Sequence, residues 1–451
     1  MMTRREWMQA AGAAAVGRRP NVLILFSDDQ RFDTIAALGN HEIRTPNLDR
    51  LVARGTAFTH AHIMGGISPA VCVASRAMFW SGQSLFRADE RLTAEVTGRG
   101  RKGPFTLLPE HFRRHGYATF GTGKWHNRAP LFARAFSAGG SILMGGGSDH
   151  YKVPEHDFRP DGVYSATPDR IATKHSSELF ADAAVGFLRQ RKPGADPFLL
   201  SVCFTAPHDP RQSPPEVRTQ YKPERLRLPK SFRGEHPFDN GELKIRDEML
   251  APFPRTPEVV REHIADYYAM ITHMDAQIGR ILDALEQTGE ARETLVVFAA
   301  DNGLAVGRHG LLGKQNLYDH SVRVPLVLAG PGIPRGKRLG SFRYLHDVYP
   351  TLCHLAGLPV PETVESRNLL DGPGYDSLFF AYRNLQRGVR QGRWKLIRYY
   401  APATERTQLF DMAKDPDELH DLSAEPRHAA AVASLKAEMG RWMQRTEDPL
   451  R

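Results

Sequence analysis

Asp28-Asp29, Lys124 with His126, His208, and Asp301-Asn302 each stand where an apolar run of this chain stops, and Lys314 follows a short way on. Asp28, Asp29, Asp301 and Asn302 offer oxygen donors, which suit a hard divalent cation, calcium or magnesium. Two adjacent carboxylates at the end of a buried strand are costly unless paired or metal-bound. Zinc is disfavoured, because the chain has no Cys pair and no helical His-x3-His pair. Cys72 precedes Ser75 and Arg76 at the start of a helical run. A helix N-terminus favours an anion and acidifies a thiol. Sulfur is nevertheless a poor ligand for a hard cation, so a site around Cys72 makes sense only if that residue presents oxygen instead. Taken singly, each of these residues has an ordinary structural reading. Their joint placement at strand ends marks them as one active-site set.

The elements that must position them follow from the pattern. Asn21–Ser27 is a continuous apolar run, as in a central parallel strand buried on both faces. In open α/β sheets the carboxyl ends of such strands are where ligands sit. Further strands are expected at 117–120, 197–204, 295–300 and 324–329. Helices are expected after Thr45, which caps a run with Pro46 first and Gly55 as its stop, and at 108–115, 176–190, 257–288 and 347–356. The polar stretch 87–104 reads as a loop, and 127–174 as excursions over the sheet. The aperiodic stretch 211–256 is a long insertion of the kind that is usually functional. From about Tyr375 short strand-like runs separated by turns, then a helix from about 427 to 445, imply a small antiparallel sheet with one helix. The expected organisation is a tail at 1–19, a catalytic α/β domain at 20–374 and a small α+β subdomain at 375–451.

Several motifs appear in a fixed order: Asn-Val-Leu-Ile…Asp-Asp, Thr-Pro-Asn-Leu-Asp-Arg-Leu, Cys-x-Ala-Ser-Arg, Gly-Lys-Trp-His, Ala-Pro-His, Asp-Asn-Gly, Gly-Lys…Arg-Val-Pro-Leu and Leu-Phe-Asp-Met…Asp-Pro. The ordered set, from Pro20 to about Ser423, resembles the type I, formylglycine-dependent sulfatases of the alkaline phosphatase superfamily. That resemblance implies a large mixed, mostly parallel sheet sandwiched by helices. It implies that Cys72 is oxidised by a maturation enzyme to formylglycine (3-oxoalanine) and that Ca2+, or Mg2+, is held by Asp28, Asp29, Asp301, Asn302 and the modified Cys72. The hydrated aldehyde attacks sulfur, and Lys124 and Lys314 neutralise the sulfate oxygens. His208 protonates the leaving oxygen, His126 takes a proton and Arg76 orients the diol. Ala74 stands where the family more often has proline. The implied substrate is a sulfated saccharide, with Asp209, His320, Arg323 and Arg383 as candidate sugar contacts. Choline sulfate and aryl sulfates are the alternatives, as is a phosphonate or phosphate (di)ester hydrolase of the same superfamily. The rival from another class is a non-catalytic binder of sulfated glycans.

The chain has 451 residues, 41% of them apolar, and carries a net charge of +9. The basic residues are scattered, without a long basic block or aromatic interleaving, which argues against nucleic acid. No apolar run reaches the roughly 20 residues of a membrane span. Three cysteines, Cys72, Cys203 and Cys353, imply no disulfide framework. Thr3-Arg4-Arg5 followed by a small-residue run resembles a twin-arginine export signal, implying a periplasmic or secreted protein, with the cytoplasm as the alternative.

Overall fold

The computed structural model describes residues 19–98, 102–192, 194–401 and 404–451, so all but the last residue of the expected export segment lies outside the described residues. Eight strands form one sheet in the order Lys337–Leu339, Gly55–Phe58, Leu326–Ala329, Thr294–Ala300, Asn21–Ser27, Phe198–Cys203, Ala118–Lys124 and Ala138–Leu143. Neighbours are parallel except Leu326–Ala329, which runs antiparallel to both of its neighbours. All seven residues of Asn21–Ser27 are buried, as a central strand requires. Side chains alternate across it. Val22, Ile24 and Phe26 pack with Ala74, Ala77 and Met78 of the helix Val71–Ser81. Leu23 and Leu25 pack on the other face with Phe180 of the helix Ser176–Arg189 and with Met270, Met274 and Ile278 of the helix Pro257–Gln287. The sandwich expected from the sequence is the observed one.

The local expectations fare less evenly. The stretch 87–104, read as a loop, opens as the helix Leu85–Thr97, whose Leu85, Ala88 and Leu92 are buried. The glycine-containing run Ala138–Leu143 and the short run Gly55–Phe58, neither expected as a strand, both join the main sheet. The strand expected at 324–329 is broken at Pro325: Arg323–Val324 pairs with Ala61–His62 in a separate three-stranded sheet.

Thr45 occupies the expected position before Pro46, but its hydroxyl does not cap the helix. It accepts from Ala36 N and meets Asp49. The free N–H groups of the helix Pro46–Arg54 are taken instead by Asp275, which accepts from Asn47 N at 3.1 Å and Leu48 N at 2.8 Å. Asp275 also accepts from Asn47 Nδ2 at 3.0 Å and is 1% exposed. Gly279, one turn on, allows this close approach: a Cβ there would lie 2.6 Å from the Asn47 amide. Asp275→Ala leaves buried donors unsatisfied and is expected to lower unfolding free energy by about 1–3 kcal/mol in urea titration.

A second sheet has the order Thr404–Asp411, Trp394–Ala401, Gln386–Gln391, Ser377–Tyr382 and Gly65–Gly66. Its first four strands are the expected small antiparallel unit; the fifth comes from the segment leading into Cys72. The two units share one core, since Leu378, Phe379 and Trp442 cluster with Val22 and Phe26. A buried ion network also joins them: Asp319 accepts from Arg390 at 2.9 Å and Lys395 at 2.8 Å, and Lys395 meets Glu418 at 2.7 Å.

Three imidazoles close around Tyr318: His309 stacks at 4.1 Å, His320 at 5.6 Å, and His236 meets the ring edge at 6.0 Å. Burial pushes His309 down to about 3 and His236 down to about 4, and holds His320 well below its ordinary value. Each is therefore neutral in the folded state and takes up a proton on unfolding below about 6.5. Their contribution to stability is complete above pH 6.5 and is lost as pH falls towards the folded values. Between pH 7 and pH 5, His309→Asn should lose less stability than the parent chain, by about 2 kcal/mol. Denaturant titration at the two pH values reads this difference, and carboxylates common to both proteins cancel.

Candidate active site

The register of two parallel strands builds the centre of the site. Ser27 pairs with Ala300, so Asp28-Asp29 and Asp301-Asn302 emerge side by side. Asp29 turns back with φ 63°, its N–H donates to Asp301 Oδ1 at 3.1 Å, and Asn302 Nδ2 donates to Asp29 Oδ1 at 2.7 Å. On the far side of Phe198–Cys203, the strand Ala118–Lys124 ends in Lys124, whose Nζ donates to Asp28 Oδ2 at 2.5 Å. The chain then turns at His126, with φ 58°. His208 follows Phe198–Cys203, with Nε2 3.8 Å from Asp29 Oδ2. Lys314 arrives on a loop after Asn302; its Nζ donates to Asp29 at 2.6 and 2.9 Å and lies 3.6 Å from Cys72 Sγ.

Cys72 sits in the first turn of Val71–Ser81 with Arg76 one turn below it. Arg76 donates from Nε to Asp301 Oδ2 and from Nη1 to the Lys124 carbonyl, both at 2.8 Å, and lies over the Phe26 ring. One buried guanidinium thus ties together the helix that carries Cys72 and two strand ends. Ligand atoms of Asp28, Asp29 and Cys72 all lie within 4.8 Å of one another. The structure therefore brings together all the expected core residues: Asp28, Asp29, Cys72, Arg76, Lys124, His126, His208, Asp301, Asn302 and Lys314.

Electrostatics correct one expectation. Cys72 is not acidified by its helix terminus: burial pushes its thiol up to about 11, against the pull of Lys124 and Lys314. At 1% exposure desolvation outweighs the helix end and two ammonium groups. The unmodified side chain is a neutral thiol and a weak nucleophile. Burial would raise Asp29, but Lys314, His208 and Lys124 hold it below the usual carboxylate range. Asp301 is pushed up to about 6 by burial and by Asp28. Burial, with Lys314 adding to it, lowers His208 to about 4, and burial with Lys124 holds His126 well below its ordinary value.

The donor set fits a hard divalent cation. Asp28 Oδ1 and Asn302 Oδ1 are buried acceptors with no hydrogen-bond partner, beside carboxylate oxygens of Asp29 and Asp301. Such atoms are expensive to leave unmatched, and an oxygen-liganded cation matches them.

Of the candidate sugar contacts, Asp209 lies beside the centre: a carboxylate oxygen of Asp209, one of Asp29 and a ring nitrogen of His208 lie within 4.8 Å of one another. Arg383 is half-exposed and pairs with Glu242 at 2.7 Å, beside a cavity of about 370 Å³ lined also by Ile67 and Phe86. The other two are not at the site. His320 is 3% exposed, stacked on Tyr318. Arg323 is committed to the Thr59 carbonyl at 2.7 Å and lies over the Phe32 ring. Sequence reasoning missed the loop Gly145–Gly147: a Cβ at Gly146 would lie 2.6 Å from His126 Nε2, and one at Gly147 3.3 Å from the His208 ring. The triple glycine was the available clue. It also missed Gln315 and Asp247, which bond each other at 2.7 Å beside Lys314.

Residues 20–358 match the family model described as Sulfatase. The chain belongs to the sulfatase family. It is a sulfuric ester hydrolase. Residues 307–445 of this sulfatase also match the model for the C-terminal part of N-sulphoglucosamine sulphohydrolase. It is 28% identical to a sulfatase of Formosa agariphila over 93% of its own length and 86% of that protein. It is 28% identical to choline-sulfatase of Rhizobium meliloti, covering 93% and 85% of the two chains. The N-acetylglucosamine-6-O-sulfatase of Bacteroides thetaiotaomicron is 24% identical over 93% and 85%. Among solved structures, a protein in complex with its substrate D-glucosamine-2-N,6-O-disulfate superposes with a TM-score of 0.76 at 21% identity, over 96% of this chain and 99% of that one. The phosphonate monoester hydrolase of Agrobacterium radiobacter gives 0.72 at 24% identity, over 93% and 96%. These two likenesses concern the fold.

Proposed function

We propose that this sulfatase removes sulfate from a sulfated saccharide. The observation that supports this most is the convergence of Asp28, Asp29, Cys72 and Lys314 at one buried point. Asp28, Asp29, Asp301 and Asn302 would hold a hard divalent cation, calcium first, with Cys72, after oxidation to formylglycine by a maturation enzyme, adding an oxygen ligand. When present, the ion supplies Lewis-acid stabilisation of sulfate charge and the modified residue an oxygen nucleophile.

The remaining work falls to the chain's own side chains. Lys124 and Lys314 now sit on the carboxylates of Asp28 and Asp29. Asp28 and Asp29 are the carboxylates that would hold the cation, and Lys124 and Lys314 are the ammonium groups placed to bind sulfate oxygens, a preorganised electrostatic role. His208 is neutral as it stands; a bound sulfate ester adds negative charge beside Nε2, favours the imidazolium and sets it to protonate the leaving oxygen. His126 Nδ1 is buried without a partner and is the site for the returning proton. Arg76 acts by holding Asp301 and the Lys124 carbonyl in place. Asp209 and Arg383 are proposed to contact the sugar. The catalytic body is assigned to 20–374, the subdomain to 375–451 and export to the segment 1–19.

The saccharide reading draws on the N-acetylglucosamine-6-O-sulfatase relative; choline or aryl sulfate is the competing substrate. A screen of defined sulfated monosaccharides, choline sulfate, 4-nitrophenyl sulfate and a phosphonate monoester tests it. Higher kcat/KM for a sugar sulfate supports the proposal. Preference for choline sulfate or the phosphonate refutes it.

A further inference from the structure

The wall beside His208 holds two arginines that the proposed reaction does not use. Arg211 stands three residues after His208. Its Nη1 meets His263 Nδ1, while Nε and Nη2 are buried with no hydrogen-bond partner. The neutral imidazole accepts from Nη1 alone, which leaves the buried Nε and Nη2 donors unmatched. Burial pushes it below its ordinary range, with Asp209 opposing most strongly, then Tyr267, Asp266 and Asp29.

Arg246 comes from the insertion 211–256. It donates from Nη2 to Asp209 Oδ1 at 2.9 Å and from Nε to Asp247 Oδ1 at 2.9 Å, and its side chain remains 61% exposed. Pairs this exposed add little stability, so the fold alone gives no reason for the placement. The strand of chain carrying it is pinned at both ends by carboxylates. Glu242 accepts from Tyr382 at 2.9 Å and Arg383 at 2.7 Å; Glu248 accepts from Leu312 N at 2.9 Å and Gly313 N at 2.8 Å. Asp247 accepts from Gln315 beside Lys314. Arg246 is thus presented at a fixed place, one carboxylate away from the Asp29–His208 centre.

From this arrangement we infer that Arg211 and Arg246 form a second anion-recognition site, taking a carboxylate or a second sulfate on the same saccharide that bears the scissile sulfate. The inference rests on the saccharide reading above and narrows it to polyanionic sugars. The test is calorimetric titration of the Cys72→Ala protein with three probes: glucose 6-sulfate, D-glucosamine-2-N,6-O-disulfate and glucuronic acid 2-sulfate. The two doubly charged sugars should bind about 10–100-fold more tightly than glucose 6-sulfate, the worth of one or two charge-assisted hydrogen bonds. Tighter binding of only one of them identifies the anion as sulfate or carboxylate. Arg246→Ala and Arg211→Gln should each bring that ratio towards unity, and Arg211→Lys should retain part of it, all three with a Tm close to that of the parent. Equal affinities in the parent, no binding of any probe, or a ratio unchanged within about twofold in both neutral variants overturns the inference. Hydrolysis of 4-nitrophenyl sulfate by the unsubstituted enzyme is read separately. Its absence counts against the sulfatase mechanism and leaves the binding ratio to judge the second site.

Discussion

Cys72→Ala should abolish hydrolysis of sulfate esters, lowering kcat by at least about 10⁴-fold, while the protein still folds. Loss of a nucleophile costs this much where the rest of the site cannot replace it. The same change removes one sulfur atom from a tightly packed position and should cost about 1 kcal/mol of stability. Steady-state kinetics and thermal unfolding on one sample separate the two effects. With the neutral, buried thiol, the proposed mechanism predicts that an active preparation carries an oxidised side chain at this position. Mass spectrometry of the peptide containing Val71 to Arg76 reads it directly. Full turnover with an intact thiol would exclude the proposed nucleophile.

Removal of the proposed cation is expected to be the second large effect. Extended dialysis against a chelator should reduce turnover by at least about 10³-fold, and added Ca2+ should restore it better than Zn2+. Stability should fall too, because an ion bound to the native state at 100–1,000 times its dissociation constant contributes about 3–4 kcal/mol. The drop is limited because Lys124 and Lys314 pair with Asp28 and Asp29 themselves. Turnover that survives chelation, with no change in Tm, would remove the metal from the mechanism.

What the sequence disclosed, and what it hid, follows from the range of the interactions involved. The strands ending at Asp28, at His208 and at Asp301 were legible because a strand buried on both faces needs an unbroken apolar run, and its end is abrupt. The long helix Pro257–Gln287 was legible through its period and its start, where Thr256 accepts from Val259 N ahead of Pro257. Ala138–Leu143 was hidden because two of its residues are glycines; at Gly139 a Cβ would meet the Gly121 carbonyl at 2.8 Å and Phe132 at 3.0 Å. Leu85–Thr97 was hidden by its charged outer face. At the site, identity and order along the chain were enough for the central residues. They were not enough for His320, whose burial is decided by Tyr318 and His309, nor for Arg246, whose position is set by Asp209 and Asp247. The expected acidic thiol failed for a related reason. A helix terminus can be read locally, whereas desolvation belongs to the whole fold.

Gly65–Gly66 pairs with Ala381–Tyr382, and Gly65 must be glycine because a Cβ would lie 2.1 Å from the Ala381 carbonyl oxygen. Synthesis delivers these partners far apart in time. The lead-in to Cys72 therefore cannot make this pairing until Ala381 and Tyr382 have left the ribosome. Under the proposed oxidation of Cys72, that delay would be the interval in which a maturation enzyme reaches a sulfur that the finished molecule seals away.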